Sequence, residues 1–370
     1  MKRVLHIMGG MNRAGAETMI MNVYRTIDRS QIQFDFLVYK KERQDYEDEI
    51  EKLGGRVFHI PFSTNPPRLL KHLRALRKLI KEQKYCAIHI ATLHNSAFAL
   101  LASLGISKLK RIVHSHSTSN TIKASAFQKF YNSLTRGIIN KLAEERIACG
   151  VEAGNYLFGE KRFSKGGIII NNSVDIDTFY NVNQDKVLEI KNHYHLNDCL
   201  VVGSVARLNQ VKNHKKMIEI AEELKKRGIK SKLLIIGTGE LENELKREVR
   251  DRNLEKEVLF FGLRTDIPEL MHVMDVFLMP SIFEGNPVTL IEAQAAGLPA
   301  LISDKITDKI DLGLGLIQKE NIEEPAGKWV ETLLTISPKT LGYTEIYNAL
   351  SSHGYNLKES SVLLCNLYLS

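Results

Sequence analysis

Short runs of β-branched and other apolar residues alternate with longer stretches of helical periodicity along most of the chain, and this alternation limits the fold more than any other feature. In the first half the runs fall at residues 4–8, 34–39, 56–60, 87–91, 111–115, 146–149 and 167–171. In the second half they fall at 199–206, 232–237, 257–262, 275–280 and 299–303. Strands separated by helices in this way pair in parallel. The alternation therefore predicts an α/β protein with two doubly wound, Rossmann-like sheets.

The chain of 370 residues is long enough for two domains. A polar, turn-rich segment between the halves, NSVDIDTFYNVNQDK, is the candidate linker. We therefore expect an N-terminal domain over residues 1–180, a C-terminal domain over 181–350 and a C-terminal helix over 351–370, for which a return to the N-terminal domain is one option. Open α/β sheets bind ligands beyond the carboxyl ends of their strands, so a cleft between two facing domains is the expected site.

Neither membrane insertion nor disulfide bonding is indicated by the sequence. No apolar run approaches the roughly 18 residues that a membrane span requires, and the start MKRVLHIMGG becomes polar too quickly for a signal peptide. The four cysteines are scattered, without a CxxC pair or a histidine at metal-ligand spacing. We therefore expect a cytoplasmic protein with reduced thiols.

The positive charge is concentrated in the first half. Residues 1–180 contain 28 Lys and Arg against 16 Asp and Glu, whereas residues 181–370 contain 23 against 27, so net charges of +12 and −4 make up the chain's +8. A basic half favours an anionic partner such as nucleic acid or an acidic membrane. A basic surface that only contacts water explains the charge equally well, and both interpretations stay open.

The stretch FEGNPVTLIEAQAAGLP follows the run DVFLMP and so lies at the carboxyl end of a predicted strand. Asn286 is a favourable N-cap, Pro287 suits the first helical position and Gly297 ends the helix, which predicts a helix of about ten residues. The free N–H groups of Val288 and Thr289, with the positive end of the helix dipole, form an anion site that suits phosphate.

Two glutamates, Glu284 and Glu292, lie on either side of this helix start. Carboxylates repel phosphate but accept hydrogen bonds from hydroxyl groups, so they suit hydroxyls on either side of a phosphate bridge. A sugar, a diphosphate and a ribose in that order would satisfy both glutamates and the helix start. The alternative is a loop carboxylate and a partly buried helical carboxylate without function.

Other predicted strand ends add polar groups and small turns. Arg207 and Lys212 in ARLNQVKNH place two cations where a diphosphate would lie. The turn of Thr238, Gly239 and Glu240 follows the run KLLIIG and allows backbone to approach a ligand closely. Surface cations and an ordinary glycine turn are individually commoner explanations, but together with the two glutamates the groups favour a nucleotide-sugar site.

In the first half, MGGMNRAGAETM follows the first strand and leads into a helix. GxGxxG is absent, which disfavours a dinucleotide oxidoreductase. The motif HSHS ends another strand, and alternation puts His114 and His116 on the same face. A single histidine at a strand end is more often structural than functional.

Taken together, these segments resemble the retaining glycosyltransferases of family four, which have the GT-B fold of two facing Rossmann-like domains with an interdomain cleft. FEGNPVTLIEAQAAGLP is similar to the Glu-x7-Glu motif of that family. ARLNQVKNH, IIGTGELE, FFGLRTDIPELMHVMDVFLMPS and SDKIT extend the likeness in the expected order. It covers about residues 1–330, is most specific over 199–303, and is nearest to bacterial capsular and exopolysaccharide glycosyltransferases.

The resemblance implies a role for each matching position, with the acceptor on the N-terminal domain and the donor on the C-terminal domain. The catalytic positions would be His116, Arg207, Lys212 and Glu284. The donor-binding positions would be Gly237, Thr238, Gly239, Leu263, Arg264, Asn286, Pro287, Val288 and Glu292. The loop on the acceptor side would contain Gly10, Gly15 and Glu17.

Within that scheme the two cations would bind the diphosphate, Glu292 the ribose and Glu284 the donor sugar, while backbone near Leu263 and Arg264 would meet the base. A UDP-sugar donor, a polyprenyl-diphosphate-linked or oligosaccharide acceptor and a front-face retaining mechanism are implied. Neither a metal nor a cofactor is expected. Two positions depart from the family pattern, with Ala16 in place of a second glycine and Ser173 in place of the glycine of an Asn-Gly turn.

The basic first half has a use in this scheme. RLLKHLRALRKLIKEQK places Lys and Arg around a predicted helix with leucines on one side, a pattern compatible with anionic lipid headgroups. We therefore expect peripheral attachment to the inner face of the cell membrane and no nucleic-acid partner.

Three alternatives stay open at this stage. A sugar-nucleotide epimerase of the same fold would need no acceptor. A non-catalytic binding protein would not require both glutamates together with Arg207 and Lys212. A nucleic-acid binder would explain the basic half and leave the second half without a role.

Overall fold

The computed structural model describes residues 1–117 and 125–370, which divide into two compact units. One unit comprises Met1–Ser173 together with Leu357–Ser370, and the other comprises Val174–Asn356. The boundaries expected from the sequence, after residues 180 and 350, differ from these divisions by a few residues. Each unit contains its own parallel sheet.

The sheet of the first unit has seven parallel strands. They are β1 (Lys2–Met8), β2 (Ile32–Val38), β3 (Val57–His59), β4 (Ala87–Ala91), β5 (Lys110–Ser115), β6 (Glu145–Ala148) and β7 (Gly167–Ile169). The spatial order is β3-β2-β1-β4-β5-β6-β7. Each strand overlaps one predicted run, and the direction of the order reverses between β1 and β4, where doubly wound sheets bind ligands.

Helices cover both faces of this sheet. They are α1 (Gly15–Thr26), α2 (Glu47–Lys52), α3 (Pro66–Gln83), α4 (Ser96–Ala102), α5 (Ala126–Leu142), α6 (Val151–Phe158) and α7 (Glu160–Phe163). Helices α3, α4 and α5 share one core with the sheet, and α1 belongs to the core on the opposite face. Burial on both faces explains why the strands are almost continuously apolar instead of alternating.

The second unit has a six-stranded parallel sheet with the same kind of winding. Its strands are β8 (Leu200–Val205), β9 (Ser231–Ile236), β10 (Val258–Gly262), β11 (Val276–Met279), β12 (Ala300–Ser303) and β13 (Ile317–Glu320), in the order β10-β9-β8-β11-β12-β13. Strand β13 was not predicted, because its sequence IQKE is short, mostly polar and half-buried at the sheet edge. The order reverses between β8 and β11.

The helices of the second unit begin inside the segment that the sequence suggested as a linker. They are α8 (Ile176–Tyr180), α9 (Gln184–His193), α10 (His214–Lys226), α11 (Glu242–Asp251), α12 (Ile267–Val273), α13 (Val288–Ala295), α14 (Ala326–Thr335) and α15 (Tyr343–Ser352). The linker interpretation is wrong for most of that segment. Ile176 and Phe179 of α8 are buried in the core, and Asn183 caps α9 through its side chain.

The chain returns to the first unit through a last helix, α16 (Leu357–Leu369). This helix packs against α1, with Leu364 and Tyr368 buried in the same core. The partner of the C-terminal helix, which the sequence did not determine, is therefore the core of the first unit. Among the described residues, none of the helices has both the length and the apolar character needed to span a bilayer.

Candidate functional site

The loops that follow β8 and β11 meet at the point where the strand order of the second sheet reverses. The backbone N–H of Ile282 donates to the carbonyl of Val211 across 2.8 Å, and the side-chain amide of Asn213 donates to the carbonyl of Pro280 across 3.1 Å. Asn213 has the left-handed conformation, with φ of 53°, just before α10. These contacts fix the two loops relative to each other at the edge where a ligand is expected.

Lys212 and Glu284, which the sequence placed at the diphosphate and at the donor sugar, form an ion pair with each other. Their side chains are 20% and 13% exposed, so water screens the pair less than a surface pair. The backbone of Lys212 is held by Asn209, whose side-chain oxygen accepts its N–H across 3.2 Å. The structure therefore brings one predicted cation and one predicted carboxylate together at the sheet edge.

Arg207 lies on the same loop and is exposed. Its guanidinium pairs across 3.2 Å with Glu240, which belongs to the turn after β9. The carbonyl of Thr238 in that turn accepts the N–H of Leu208 across 3.0 Å. The turn after β9 and the loop after β8 are thus one connected structure.

Glycine is required in this turn by the neighbouring loop. At Gly237, where φ is +131°, a Cβ would lie 2.1 Å from the carbonyl oxygen of Ala206, and at Gly239 it would lie 2.3 Å from that of Leu208. The sequence attributed the small residues to close approach of a ligand. The structure gives them a packing role between two loops, whether or not a ligand also approaches.

The helix in FEGNPVTLIEAQAAGLP differs from its predicted bounds. It begins at Val288, so Pro287 occupies the N-cap and Asn286 does not. The side-chain oxygen of Asn286 instead accepts a hydrogen bond from the hydroxyl of Tyr355 across 3.1 Å. Proline has no side chain that can cap, and the N–H of Leu290 donates to the carbonyl of Pro287 across 3.0 Å. Within the described residues the N–H groups of Val288 and Thr289 are therefore left for an anion, as the sequence suggested. Gly297, with φ of +69°, follows the helix end, in agreement with the prediction.

Glu292 lies in the second turn of this helix and is half-buried. Within residues 1–117 and 125–370 its carboxylate has neither an ion-pair nor a hydrogen-bond partner. Burial raises the pKa of Glu292 from 4.5 to about 7. A carboxylate that is partly removed from water and unpaired has free lone pairs for hydroxyl donors, the property that a ribose ligand needs.

The turn after β10 contains Leu263 and Arg264. Leu263 is exposed, whereas Arg264 makes two hydrogen bonds to Asp266, at 2.8 and 2.6 Å, and lies over the ring of Phe261. Ion pairing with Asp266 holds the pKa of Arg264 above its usual value. The Arg264 side chain is therefore occupied within its own turn, which leaves backbone as the group that a base could meet.

Exposed apolar side chains occur on the same loops, a feature that the sequence analysis missed. They are Val211, Leu263, Ile282 and Phe283. Exposure cannot be read from a sequence pattern, although the pair Ile282-Phe283 beyond the end of a predicted strand was a usable signal. Apolar groups beside a cluster of charges are typical of ligand sites.

In the first unit the residues predicted for the acceptor side lie on the connection from β1 to α1. Gly15 begins α1 after Ala14, which makes no side-chain cap, and a Cβ at Gly10 would lie 2.9 Å from the side-chain oxygen of Gln44. Glu17 lies in the first turn of α1, and burial raises the pKa of its carboxyl. These residues share the carboxyl edge of the first sheet.

His116 follows β5 at that same edge and is half-buried. The rings of His114 and His116 lie 3.8 Å apart between centroids, so the two do share a face as alternation predicted. Burial lowers the pKa of His116 to about 4. His116 is therefore a neutral imidazole near neutral pH.

Comparison with known proteins agrees with this fold. Two family models match the chain, "Glycosyltransferase Family 4" over residues 13–177 and "Glycosyl transferases group 1" over residues 188–307. The solved structure of Anabaena Alr3699/HepE in complex with UDP is 17% identical, covers 99% of each chain and has a TM-score of 0.75. The fold and its two parallel-sheet units define the GT-B class.

Two curated relatives narrow the family. "Putative glycosyltransferase EpsF" of Bacillus subtilis (strain 168) is 39% identical over 370 residues, which are 99% of this chain and 96% of the relative. The UDP-Gal:alpha-D-GlcNAc-diphosphoundecaprenol alpha-1,3-galactosyltransferase of Escherichia coli is 29% identical over 74% of this chain and 72% of its own length. The chain belongs to the glycosyltransferases that combine the family 4 and group 1 domains.

Proposed function

We propose that the protein transfers a sugar, with retention of its anomeric configuration, from a UDP-sugar to a polyprenyl-diphosphate-linked or oligosaccharide acceptor in surface polysaccharide synthesis. The observation that carries the proposal is the half-buried carboxylate of Glu292, which has no partner among the described residues and lies in the helix with the uncapped start at Val288. A ribose provides two hydroxyl donors for such a carboxylate. The phosphates attached to that ribose suit the N–H groups of the first helical turn.

The diphosphate would be neutralised by Arg207, Lys212 and the start of α13. Both cations pair with carboxylates in the structure, Arg207 with Glu240 and Lys212 with Glu284. Donor binding would therefore exchange a carboxylate for the diphosphate at each cation. The exchange at Lys212 would free Glu284 to accept hydroxyl hydrogen bonds from the donor sugar, so the two events are coupled.

The transfer would follow a front-face route. The bond between the anomeric carbon and the leaving diphosphate oxygen breaks, and the acceptor oxygen forms its bond on the same face. The departing phosphate oxygen takes the proton of the acceptor hydroxyl. Positive charge at Arg207, Lys212 and the helix start stabilises the charge that develops on the phosphate, so we propose that transfer needs neither a metal nor a cofactor.

The remaining residues would position the two substrates. His116, as a neutral imidazole, would contact a hydroxyl of the donor sugar, and the backbone at Leu263 and Arg264 would meet the uracil. Gly10 and Gly15, on the loop after β1, would contact the acceptor together with Glu17. The name of the Escherichia coli relative specifies a UDP-sugar donor and an undecaprenyl-diphosphate-linked acceptor, which supports both substrate classes.

A lipid-linked acceptor requires contact with a membrane, and two helices of the first unit suit that contact. On α3, Leu76 and Leu79 are buried in the core, whereas Leu70 is 47% exposed, so this helix offers its Lys and Arg with one exposed leucine. More exposed apolar side chains lie on α5, where Phe127, Phe130 and Leu134 are 77%, 68% and 56% exposed. Helices α3, α4 and α5 cover the same sheet face, which combines charge and apolar surface as anionic lipid binding requires.

The donor proposal is tested by thermal-shift binding of UDP-, GDP-, ADP- and dTDP-sugars to the wild type, Glu292→Ala and Lys212→Ala. A shift selective for UDP-sugars and lost in both variants is the expected result. Shifts that survive both substitutions would contradict the assigned site. Conversion of the donor into an isomer without any acceptor would favour an epimerase.

The membrane proposal is tested separately by flotation with liposomes that contain or lack anionic phospholipid. We expect flotation only with the anionic liposomes, and its loss in a Phe127→Ser, Phe130→Ser double variant. Equal flotation with both compositions would contradict an electrostatic contact. Binding of RNA or DNA that competes with the liposomes would favour a nucleic-acid partner for the basic half.

A further inference from the structure

Four histidines cross the centre of the first sheet in a continuous row. His6, His89 and His114 lie on β1, β4 and β5, and His116 follows β5. Their ring centroids are separated by 5.0, 5.2 and 3.8 Å in that order. The first three side chains are at most 1% exposed, and only His116 lies at the predicted site.

One hydrogen bond joins this row to the C-terminal helix, and a second joins two of its histidines. The hydroxyl of Tyr368 on α16 lies 2.6 Å from Nδ1 of His89, and Nε2 of His89 lies 3.1 Å from Nδ1 of His114. Tyr368 is 2% exposed, and burial raises the pKa of its hydroxyl well above the usual value. The phenol therefore keeps its proton.

The direction of these bonds follows from counting donors. Within the described residues, His89 Nδ1 is the only hydrogen-bond partner of the Tyr368 hydroxyl, so the phenol donates to it and His89 carries its proton on Nε2. That N–H donates to Nδ1 of His114, which places the proton of His114 on Nε2. Nε2 of His114 has no hydrogen-bond partner among the described residues, so this direction leaves one buried N–H unpaired. The opposite direction would leave two buried groups unpaired, the phenol proton and the Nε2 lone pair of His114, and each unpaired group costs about 1–3 kcal/mol.

The hydrogen-bonded series from Tyr368 ends at His114, whose ring packs against His116. The ring centroids of His114 and His116 lie 3.8 Å apart, so the two rings are in direct contact. A neighbour that is fixed in one tautomer and one orientation restricts the ring that packs on it. Burial keeps the whole row uncharged, since the pKa of His89 is lowered to about 3.

We propose that Tyr368, His89 and His114 are positioning residues that fix the orientation of His116, so that the helix at the C-terminal end contributes to the site formed by β5. The role of His116 in transfer rests on the proposed function, but the hydrogen-bonded chain does not. None of the three residues is expected to touch a substrate.

The test compares Tyr368→Phe with Tyr24→Phe in the full chain. Tyr24 is the matched control, because it is fully buried in the same core and its hydroxyl donates to Gln33 across 2.5 Å, away from the histidine row. Both variants lose one buried hydroxyl. A purely structural role therefore predicts similar losses of melting temperature and activity in the two.

The first readout is the tautomer state of ¹⁵N-labelled histidines by long-range ¹H–¹⁵N NMR, without substrate. We expect His89 and His114 as single Nε2–H tautomers in the wild type and in Tyr24→Phe, and a mixture in Tyr368→Phe. An unchanged spectrum in Tyr368→Phe would overturn the proposal. If that variant does not fold, His89→Gln is measured at His114 in the same way.

The second readout is the rate of sugar transfer. We expect kcat to fall about tenfold in Tyr368→Phe, the lower end of the loss typical when a hydrogen-bonded partner behind a metal-ligating histidine is removed. The KM for the donor should stay unchanged, and Tyr24→Phe should have normal activity. Equal losses in both variants would also overturn the proposal. A wild type that transfers no sugar would refute the proposed function alone, and the NMR result would still decide whether the chain exists.

Discussion

Replacing Glu292 by glutamine should stabilise the protein while it weakens nucleotide binding. Burial raises the pKa of this unpaired carboxyl from 4.5 to about 7, so the folded protein favours the protonated form. The contribution to stability is complete below about pH 4.5 and is lost as the pH rises through about 7. One pKa unit corresponds to about 1.4 kcal/mol, so ionised Glu292 destabilises the fold by at most about 3 kcal/mol.

The stabilisation by Glu292→Gln should therefore depend on pH. Linkage predicts about 2 kcal/mol more stabilisation at pH 8.5 than at pH 5.5, a difference of roughly 4–8 °C in Tm for a unit of this size. The assay is calorimetric melting at the two pH values, with and without UDP. Glu189→Gln on α9 is the control, because that residue is exposed in the same unit.

With UDP present, the Tm of Glu292→Gln should lie below that of the wild type instead of above it. Loss of hydrogen bonds from ribose to a charged acceptor should weaken UDP binding by about 1.5–3 kcal/mol, or roughly 10- to 100-fold. A variant that is stabilised equally at both pH values would refute the assignment of an unpaired, desolvated carboxyl. A variant that binds UDP as tightly as the wild type would refute the ribose role.

Four further substitutions test the site and the fold. Glu284→Gln should tighten UDP binding about threefold, because it releases Lys212, whereas Lys212→Ala should weaken it about tenfold by calorimetric titration. Gly237→Ala should lower stability by about 2 kcal/mol or more, because a Cβ would lie 2.1 Å from the carbonyl oxygen of Ala206 in a positive-φ conformation. Asp35→Ala should cost about 3–5 kcal/mol, measured by thermal melting, because Asp35 is a fully buried carboxylate paired with two arginines.

The glutamate, glycine and aspartate substitutions each have a control in the same unit. Glu244→Gln breaks an exposed ion pair with Lys215 and should leave UDP binding unchanged. Gly342→Ala, where a Cβ would meet no atom within 4 Å, should keep its stability, and so should Asp48→Ala at an exposed ion pair. If Glu284→Gln does not bind UDP more tightly than Glu244→Gln does, the structural reasoning is contradicted. Equal losses of stability in Gly237→Ala and Gly342→Ala would contradict it too.

The strands were predictable because local pattern and global fold agree on them. Twelve runs of apolar residues coincide with strands, since a parallel sheet covered on both faces demands continuous burial. Strand β13 fails this rule, because its residues Ile317–Glu320 are half-buried and mostly polar at the edge. The linker prediction was wrong because the buried residues Ile176 and Phe179 lie within a stretch whose other residues are mostly polar, and the polar residues dominate its sequence pattern.

The placement of the predicted site residues on loops could be predicted from the sequence, but their contacts could not. Arg207, Lys212 and Glu284 do lie on loops at one edge of the second sheet. However, Asn286 accepts a hydrogen bond from Tyr355, which is 69 positions away, and local propensity for capping cannot anticipate such a partner. The contact between Tyr368 and His89 could not be predicted for the same reason, because the two residues are far apart in the sequence and meet only in the folded protein.

Hydrogen–deuterium exchange of the intact protein with a UDP-sugar would test the central claim most directly, because it locates the donor without any substitution. We predict slower exchange in the peptides that cover residues 207–212, 237–240 and 284–292, and a smaller effect from GDP-sugars. Unchanged exchange in all three peptides with every nucleotide-sugar, or protection confined to the first unit, would contradict the assignment of the donor site to the second sheet.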